Sequence, residues 1–167
     1  SVWSFADELN ADVTRHWTGK EQALLGVVDV DGVSYRFMGK ETPEEGASVR
    51  FATAARQLSV NVLPTQTYYT FECGPVLLDV VFTAPLLLDD LDRMSMPVNY
   101  ISWQVRSADQ KKHEVRVSVE AFSSLAVNTE DQAVMVEREV ENGISYLKTG
   151  TAEQAVLLRK GDDVRID

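Results

Sequence analysis

The stretch that decides the fold runs from Leu63 to Val105 and reads LPTQTYYTFECGPVLLDVVFTAPLLLDDLDRMSMPVNYISWQV. Its first part places Tyr69, Phe71 and Cys73 on one face of an extended strand, because side chains alternate between faces. Gly74-Pro75 then interrupts the chain. The pattern predicts that one strand ends here and another begins.

Two further strands follow in the same stretch. The run at 76–83 has apolar residues at both odd and even positions, which predicts a strand covered on both faces. A connection at 85–97 leads into a third run at 97–105, where Ile101, Trp103 and Val105 are in phase. We expect these three side chains in the core, and we interpret the stretch as the centre of a β-sandwich.

Hairpin signals lie on either side of this centre. Asp31-Gly32 separates ALLGVVDV from VSYRFM, and Asn142-Gly143 separates two later apolar runs. Both pairs tolerate the positive φ angles that a type I′ turn requires. Further short strands are predicted at 58–62, 113–122, 132–138, 144–147, 155–158 and 164–166, and a polar surface loop at 39–48. The fold class is therefore all-β, an antiparallel β-sandwich of the jelly-roll or supersandwich kind.

One short N-terminal helix is predicted over residues 4–17. Ser4 suits an N-cap, and Gly19 is placed to end the helix. An apolar stripe recurs every four residues at Phe5, Leu9, Val13 and Trp17.

Size and charge limit the classes of function. At 167 residues we expect a single domain spanning 1–167. The formal net charge of −10 argues against binding nucleic acid or an anionic membrane surface. No apolar run approaches the roughly 20 residues of a membrane span, so membrane insertion is not expected. The acidity is typical of a soluble protein.

The residue types that carry catalysis are sparse. Cys73 is the single cysteine and is in phase with core residues, which favours a buried, inert thiol over a nucleophile. His16 and His113 lie on separate elements without other ligands at metal-binding spacing. A nucleophile elbow and a glycine-rich phosphate loop are absent from the sequence. We therefore predict no catalytic, cofactor-binding or metal-binding residue.

Two features leave alternatives open. Asp89, Asp90 and Asp92 could bind Ca²⁺ or act as an acid and a base, although capping of a solvated turn is favoured. Aromatic residues could form a platform for sugars, which keeps a carbohydrate- or peptide-binding module as the alternative function. These residues are Trp3, Trp17, Trp103, Tyr68 and Tyr100.

Three motifs carry a family resemblance. They are NADVTRHWTGK at 10–20, preceded by WSFA at 3–6; the central PTQTYYTFECGPVLLDVVFTAPLLLDDLDRMSMPVNYIS at 64–102; and KGDDVRID at 160–167. In this order they resemble the N-terminal β-sandwich domain of glutaminase A-like proteins of fungi and bacteria. The resemblance spans nearly the whole chain.

The resemblance implies a larger, secreted or periplasmic hydrolase that converts L-glutamine to glutamate and ammonia. This chain would be its accessory, non-catalytic domain, excised from a multidomain protein, and its partner would be a downstream α-rich part similar to six-hairpin glycosidases. No cofactor is implied. We expect the interdomain contact at the His16-Trp17 corner and at the connection carrying Asp89, Asp90, Asp92 and Arg93.

Overall fold

A computed structural model describes residues 2–3, 7–16, 19–40, 52–129 and 131–154. The chain divides into two compact units, residues 1–122 and 123–167, which are described separately. Within the described residues, no helix combines the length and the apolar character needed to cross a membrane.

In the part of the first unit that the structure describes, there are ten strands and one helical turn. The strands are β1 Val2–Trp3, β2 Arg15–His16, β3 Leu24–Val30, β4 Val33–Met38, β5 Thr53–Ala54, β6 Arg56–Val62, β7 Gln66–Cys73, β8 Val76–Thr83, β9 Tyr100–Ser107 and β10 Val115–Ala121, and the helix α1 is Leu91–Met94. Two sheets have the orders β10-β3-β4-β5 and β6-β7-β8-β9, and β1 pairs with β2. All neighbours are antiparallel except β4 and β5. The prediction of an all-β sandwich is confirmed.

Turn chemistry determines the register of the first hairpin. Asp31 and Gly32 adopt φ angles of 49° and 85°, as a type I′ turn requires. Val30 and Val33 then pair directly across the turn. The hairpin predicted around this Asp-Gly pair is therefore confirmed.

The core lies between the two four-stranded sheets. Phe37 of β4 and Phe71 of β7 are both fully buried, with ring centroids 6.0 Å apart. On β3, a Cβ at Gly26 would lie 2.5 Å from the Phe37 ring, so only glycine leaves that ring its space. Residues from both sheets complete the cluster: Val28, Val30, Met38, Tyr69, Cys73, Val76, Leu78 and Val80.

The predicted N-terminal helix is wrong in the residues that the structure describes. Asp7–Asn10 form a turn, and Arg15–His16 form β2. The Asn10 amide donates hydrogen bonds to the carbonyl oxygens of Arg36 and Ala55, both at 2.8 Å. Thr14 Oγ1 donates to Gln22 O at 2.6 Å and accepts from Leu24 N at 2.7 Å. Such side-chain bonds to backbone groups compete with helix formation.

The apolar residues of this segment are nevertheless buried. Leu9 and Val13 are 6% and 7% exposed, so their burial, though not their helical geometry, follows the sequence pattern. The other two members of the predicted stripe, Phe5 and Trp17, lie outside the described residues.

Two predictions about burial differ from the structure. Trp103 is in phase with the core but 49% exposed, because β9 is the edge strand of its sheet. On β8, only one side-chain set is buried, since Leu77 and Val81 of the other set are half-buried. Alternation identified the faces, but the position of a strand within the sheet decided their coverage.

The second unit contains a hairpin of β11 Val134–Glu141 and β12 Ile144–Thr151. Asn142 and Gly143 have φ angles of 51° and 79°, which confirms the second predicted turn. A short 3₁₀ turn at Ser123–Ala126 precedes the hairpin. The strands predicted at 155–158 and 164–166, and most of the loop at 39–48, lie outside the described residues. The single-domain assignment over 1–167 stays a prediction.

A charged cluster ties the β3–β4 turn to the β9–β10 connection. His113 Nδ1 lies 2.7 Å from Asp31 Oδ2, and His113 Nε2 lies 2.8 Å from Asp109 Oδ1. Backbone N–H groups of Glu114 and Lys111 donate to the same two carboxylates at 2.9 Å. The His113 side chain is only 9% exposed, and each of its ring nitrogens faces a carboxylate oxygen, an arrangement that favours the protonated imidazolium.

Electrostatics favour the charged form of each member. Hydrogen bonds to Asp109 and then to Asp31 raise the pKa of His113 above its ordinary value. The hydrogen bond from His113 lowers the pKa of both carboxyl groups. The cluster therefore stabilises the fold while His113 is protonated and the two aspartates are ionised.

We expect this cluster to make stability depend on pH. The difference in Tm between the native protein and His113→Gln should be largest between about pH 4 and 6.5, which are close to the unperturbed pKa values of Asp and His. It should shrink as the pH rises through the raised pKa of folded His113. It should also shrink as the pH falls through the lowered pKa values of Asp31 and Asp109. Thermal unfolding followed by circular dichroism from pH 2 to 9 measures this difference.

Lys112→Gln is the matched control, because it removes a neighbouring exposed cation that is outside the cluster. Its Tm difference should show no maximum in the same pH range. A flat difference for His113→Gln would contradict the assignment.

Candidate functional site

The connection between β8 and β9, residues 84–99, is the candidate functional site. Loops at a protein surface are usually polar, whereas this one exposes a run of large apolar side chains. Leu88 is 78% exposed and Leu91 is 67% exposed. The full exposed set, called the apolar connection below, is Leu86, Leu87, Leu88, Leu91, Met96 and Val98.

Local hydrogen bonds hold the apolar connection in shape. Asp90 is the N-cap of α1, and its Oδ1 accepts from Arg93 N at 3.0 Å. Arg93 Nε also lies 3.3 Å from Asp90 Oδ2. Ser95 Oγ donates to the carbonyl oxygen of Asp92 at 2.7 Å. The polar groups thus bond largely to one another, while the leucines beside them remain exposed.

The acidic cluster is a structural part of this turn. Asp90 caps α1, as the favoured interpretation predicts, and its carboxylate is engaged by Arg93. Asp89 and Asp92 are exposed. Across the described ranges, no group of three or more His, Cys, Asp or Glu side chains is arranged to hold a metal ion.

The predicted contact residues lie on different elements. His16 is on β2 in the two-stranded sheet, where its N–H donates to Lys20 O at 2.7 Å. Asp89, Asp90 and Arg93 line one shallow depression together with Leu86, Leu87 and Leu88. Trp17 lies outside the described residues. The role of all these residues in an interdomain contact stays a prediction.

Other reactive groups in the first unit are committed to structure. Cys73 is fully buried, and burial raises the pKa of its thiol to about 12, which agrees with an inert thiol. Both ring nitrogens of His113 are bound to carboxylates. The hydrogen bond from Arg106 lowers the pKa of Asp79, whose Oδ1 also accepts from Thr70 Oγ1. None of these groups is arranged as a nucleophile with a free base.

The sequence pattern indicates the connection through its acidic cluster but not through its exposed apolar residues. That exposed set consists of leucine, methionine and valine. A usable signal was present, since three leucines follow Pro85 in a segment that forms no strand. Apolar residues where a chain changes direction indicate a surface that another body covers.

Comparisons with known proteins support a distant relationship. The chain is 25% identical over 134 residues to a protein named glutaminase A from Aspergillus oryzae (strain ATCC 42149 / RIB 40), covering 79% of this chain and 18% of that protein. The chain therefore spans less than a fifth of the length of this relative. No solved structure matches the chain. A glutaminase A-like relationship is thus supported at the level of a related domain.

Two family models match the sequence, and both are described as domains of unknown function. The model for DUF4964 matches residues 1–49, which include the first hairpin. The model for DUF5127 matches residues 65–167, which include the apolar connection. This match covers more than half of the chain. The chain belongs to the DUF5127 family.

Proposed function

We propose that this chain is the accessory, non-catalytic N-terminal domain of a secreted or periplasmic glutaminase A-like hydrolase. In this role it braces a larger α-rich catalytic part of the same protein. The observation that carries the proposal is the apolar connection at 84–99, which exposes six large apolar side chains on one loop.

Exposure of these apolar side chains to water costs free energy. Burying apolar surface contributes roughly 25 cal/mol per Å², so covering this loop favours association. Pairing reduces the cost of covering the polar groups, because Asp90 and Arg93 already bond to each other. Exposed charges at Asp89 and Asp92 suit the polar rim of such an interface. His16 and Trp17 are proposed as a second contact.

The proposal of a partner within a longer chain is supported by the comparison. The related protein is named a glutaminase, and the matched region is 18% of it. That leaves ample chain for a catalytic part in a longer protein of the same design.

We expect residues 1–167 alone to release no ammonia from L-glutamine, and the longer protein to release it. The reason is that the catalytic groups are assigned to the remainder of the longer chain. A coupled assay for ammonia, run on both proteins at equal molar concentration, measures this. Activity in the shorter chain would overturn the proposal and make Asp89, Asp90 and Asp92 the first residues to substitute.

The docking role predicts a separate defect. In the longer protein, Leu88→Asp combined with Leu91→Asp should lower the Tm by several degrees, because each carboxylate would be buried against apolar surface. Residues 1–167 carrying the same changes should keep their own Tm, since both side chains are exposed there. Differential scanning fluorimetry measures both values.

Leu58→Asp is the matched control, because Leu58 is an exposed leucine on β6, away from the connection. It should leave the Tm of the longer protein nearly unchanged. An equal loss for the control and for the double variant would contradict docking through the apolar connection.

A second candidate function is carbohydrate binding by the outer face of the β6-β7-β8-β9 sheet. Tyr68 and Tyr100 are 38% and 55% exposed. Their cross-strand partners on β8 are Val81 and Thr83, which places both tyrosines on that outer face. Tyr68 Oη donates to Gln66 Oε1 at 2.6 Å, which fixes one ring edge beside an amide.

For this candidate, neutral polysaccharides should retard the protein in affinity electrophoresis, because sugar rings stack on exposed aromatic faces. Tyr100→Ala should abolish the retardation, whereas Tyr146→Ala, on the hairpin of the second unit, should preserve it. Identical mobility of the native protein with and without polysaccharide would remove this function.

A further inference from the structure

The edge strand β9 has the properties of an acceptor for another strand. It ends the β6-β7-β8-β9 sheet and is eight residues long. It contains no proline, and Arg106 is its single charged residue. Natural edge strands are usually shortened, charged, kinked or covered, since a regular free edge pairs with other chains. In the first unit, β9 carries little of that protection.

The pairing register shows which backbone groups face away from the sheet. Ala108 N donates to Pro75 O at 2.8 Å, just beyond the pair of Ser107 with Val76. Because hydrogen-bonded and non-hydrogen-bonded pairs alternate in an antiparallel ladder, the even-numbered residues of β9 bond to β8. The N–H and C=O groups of Ile101, Trp103 and Val105 therefore face the edge of the sheet, where no strand in the described ranges pairs with them.

The side chains of these three residues face the core layer. Ile101, Trp103 and Val105 pair with Phe82, Val80 and Leu78, whose side chains lie between the sheets. Ile101 and Val105 pack against the core, but Trp103 is 49% exposed.

The edge strand of the other sheet also has a partly exposed side chain on its core face. On β10, Val119 is in phase with Val115 and Val117, which pack against the core, yet it is 37% exposed. The β9 and β10 edges lie on the same side of the sandwich, because β5 leads directly into β6 on the other side. Among the described residues of the first unit, the core faces of both edge strands therefore keep one partly exposed side chain each.

We propose that β9 pairs with an extended segment of the longer protein's own chain, from outside residues 1–167. This inference rests on the proposed function, which supplies the longer chain. The segment would satisfy the outward N–H and C=O groups of Ile101, Trp103 and Val105. Its apolar side chains, at alternate positions, would cover Trp103 and Val119, and its polar side chains would lie on the outer face.

The net charge of the chain favours pairing of β9 with a segment of the same protein over pairing with a second copy. Each chain of 167 residues carries a formal net charge of −10, so bringing two copies edge to edge costs electrostatic repulsion. A segment of the same chain also avoids the entropy lost when two molecules associate.

Hydrogen exchange resolved to single residues tests the pairing. In residues 1–167 alone, the amides of Ile101, Trp103 and Val105 should exchange rapidly, while those of Ser102, Gln104 and Arg106 should exchange slowly. In the longer protein all six should be slow, with the first three slowed by roughly 100-fold or more. Equal exchange of these three amides in both proteins would overturn the proposal.

Two other results would also overturn it. Slow exchange of all six amides in residues 1–167 at every concentration would mean that the edge is filled within this chain. Slow exchange that disappears on dilution would identify a second copy as the occupant.

A proline substitution gives an independent test. Trp103→Pro removes an N–H that faces away from β8, so residues 1–167 with this change should match the Tm of Trp103→Ala. In the longer protein, Trp103→Pro should have a lower Tm than Trp103→Ala, because the added strand loses a donor. Equal Tm values in the longer protein would contradict strand addition.

These tests separate this inference from the proposed function. If Leu88→Asp with Leu91→Asp has no effect but the edge amides are slowed in the longer protein, docking through the apolar connection fails and strand addition stands. If the double variant lowers the Tm while the edge amides stay fast, the proposed function stands and strand addition fails.

Discussion

The contact between Phe37 and Phe71 is the interaction on which the rest of the first unit depends. It joins the β10-β3-β4-β5 sheet to the β6-β7-β8-β9 sheet through two fully buried rings. Gly26 leaves room for the Phe37 ring, and Tyr69 stacks beside Phe71 with centroids 5.9 Å apart. Because interiors are packed as densely as crystals, this contact sets the spacing of the sheets around it. The same spacing extends to the edge strands β9 and β10, where Trp103 remains half-exposed on the core face.

The sequence predicted the turns and strands that depend on neighbouring residues alone. The turn at Asp31-Gly32 was predictable because few residue pairs accept positive φ at both positions. The strands of the central stretch followed from alternation at 69–73 and 101–105 and from a continuous apolar run at 76–83. The helix prediction for residues 4–17 was wrong because Asn10 and Thr14 bond to backbone groups outside the segment, which local sequence does not reveal. Hydrogen bonds of this kind stabilise a non-helical backbone even where the apolar spacing would also suit a helix.

The candidate site was predictable only in part, for a related reason. The sequence places Asp90 and Arg93 on a connection, but it does not show that their charges neutralise each other. The exposure of Leu88 and the half-exposure of Trp103 depend on what lies next to them in space. Hydrophobic patterns report which residues avoid water, and they do not report whether the covering surface belongs to the same compact unit. In this chain, the apolar residues that are exposed, such as Leu88 and Trp103, are the ones proposed to contact the rest of the longer protein.

Because Cys73 is buried, the reactivity of its thiol reports separation of the two sheets. It is the single cysteine in the sequence, and it is fully buried at the end of β7, opposite Val76. Only the thiolate reacts with alkylating reagents, and the raised pKa leaves almost none of it at neutral pH. Labelling of this sulfur therefore requires separation of the two sheets around it. The rate of alkylation measures how often the sandwich opens, without any engineered probe.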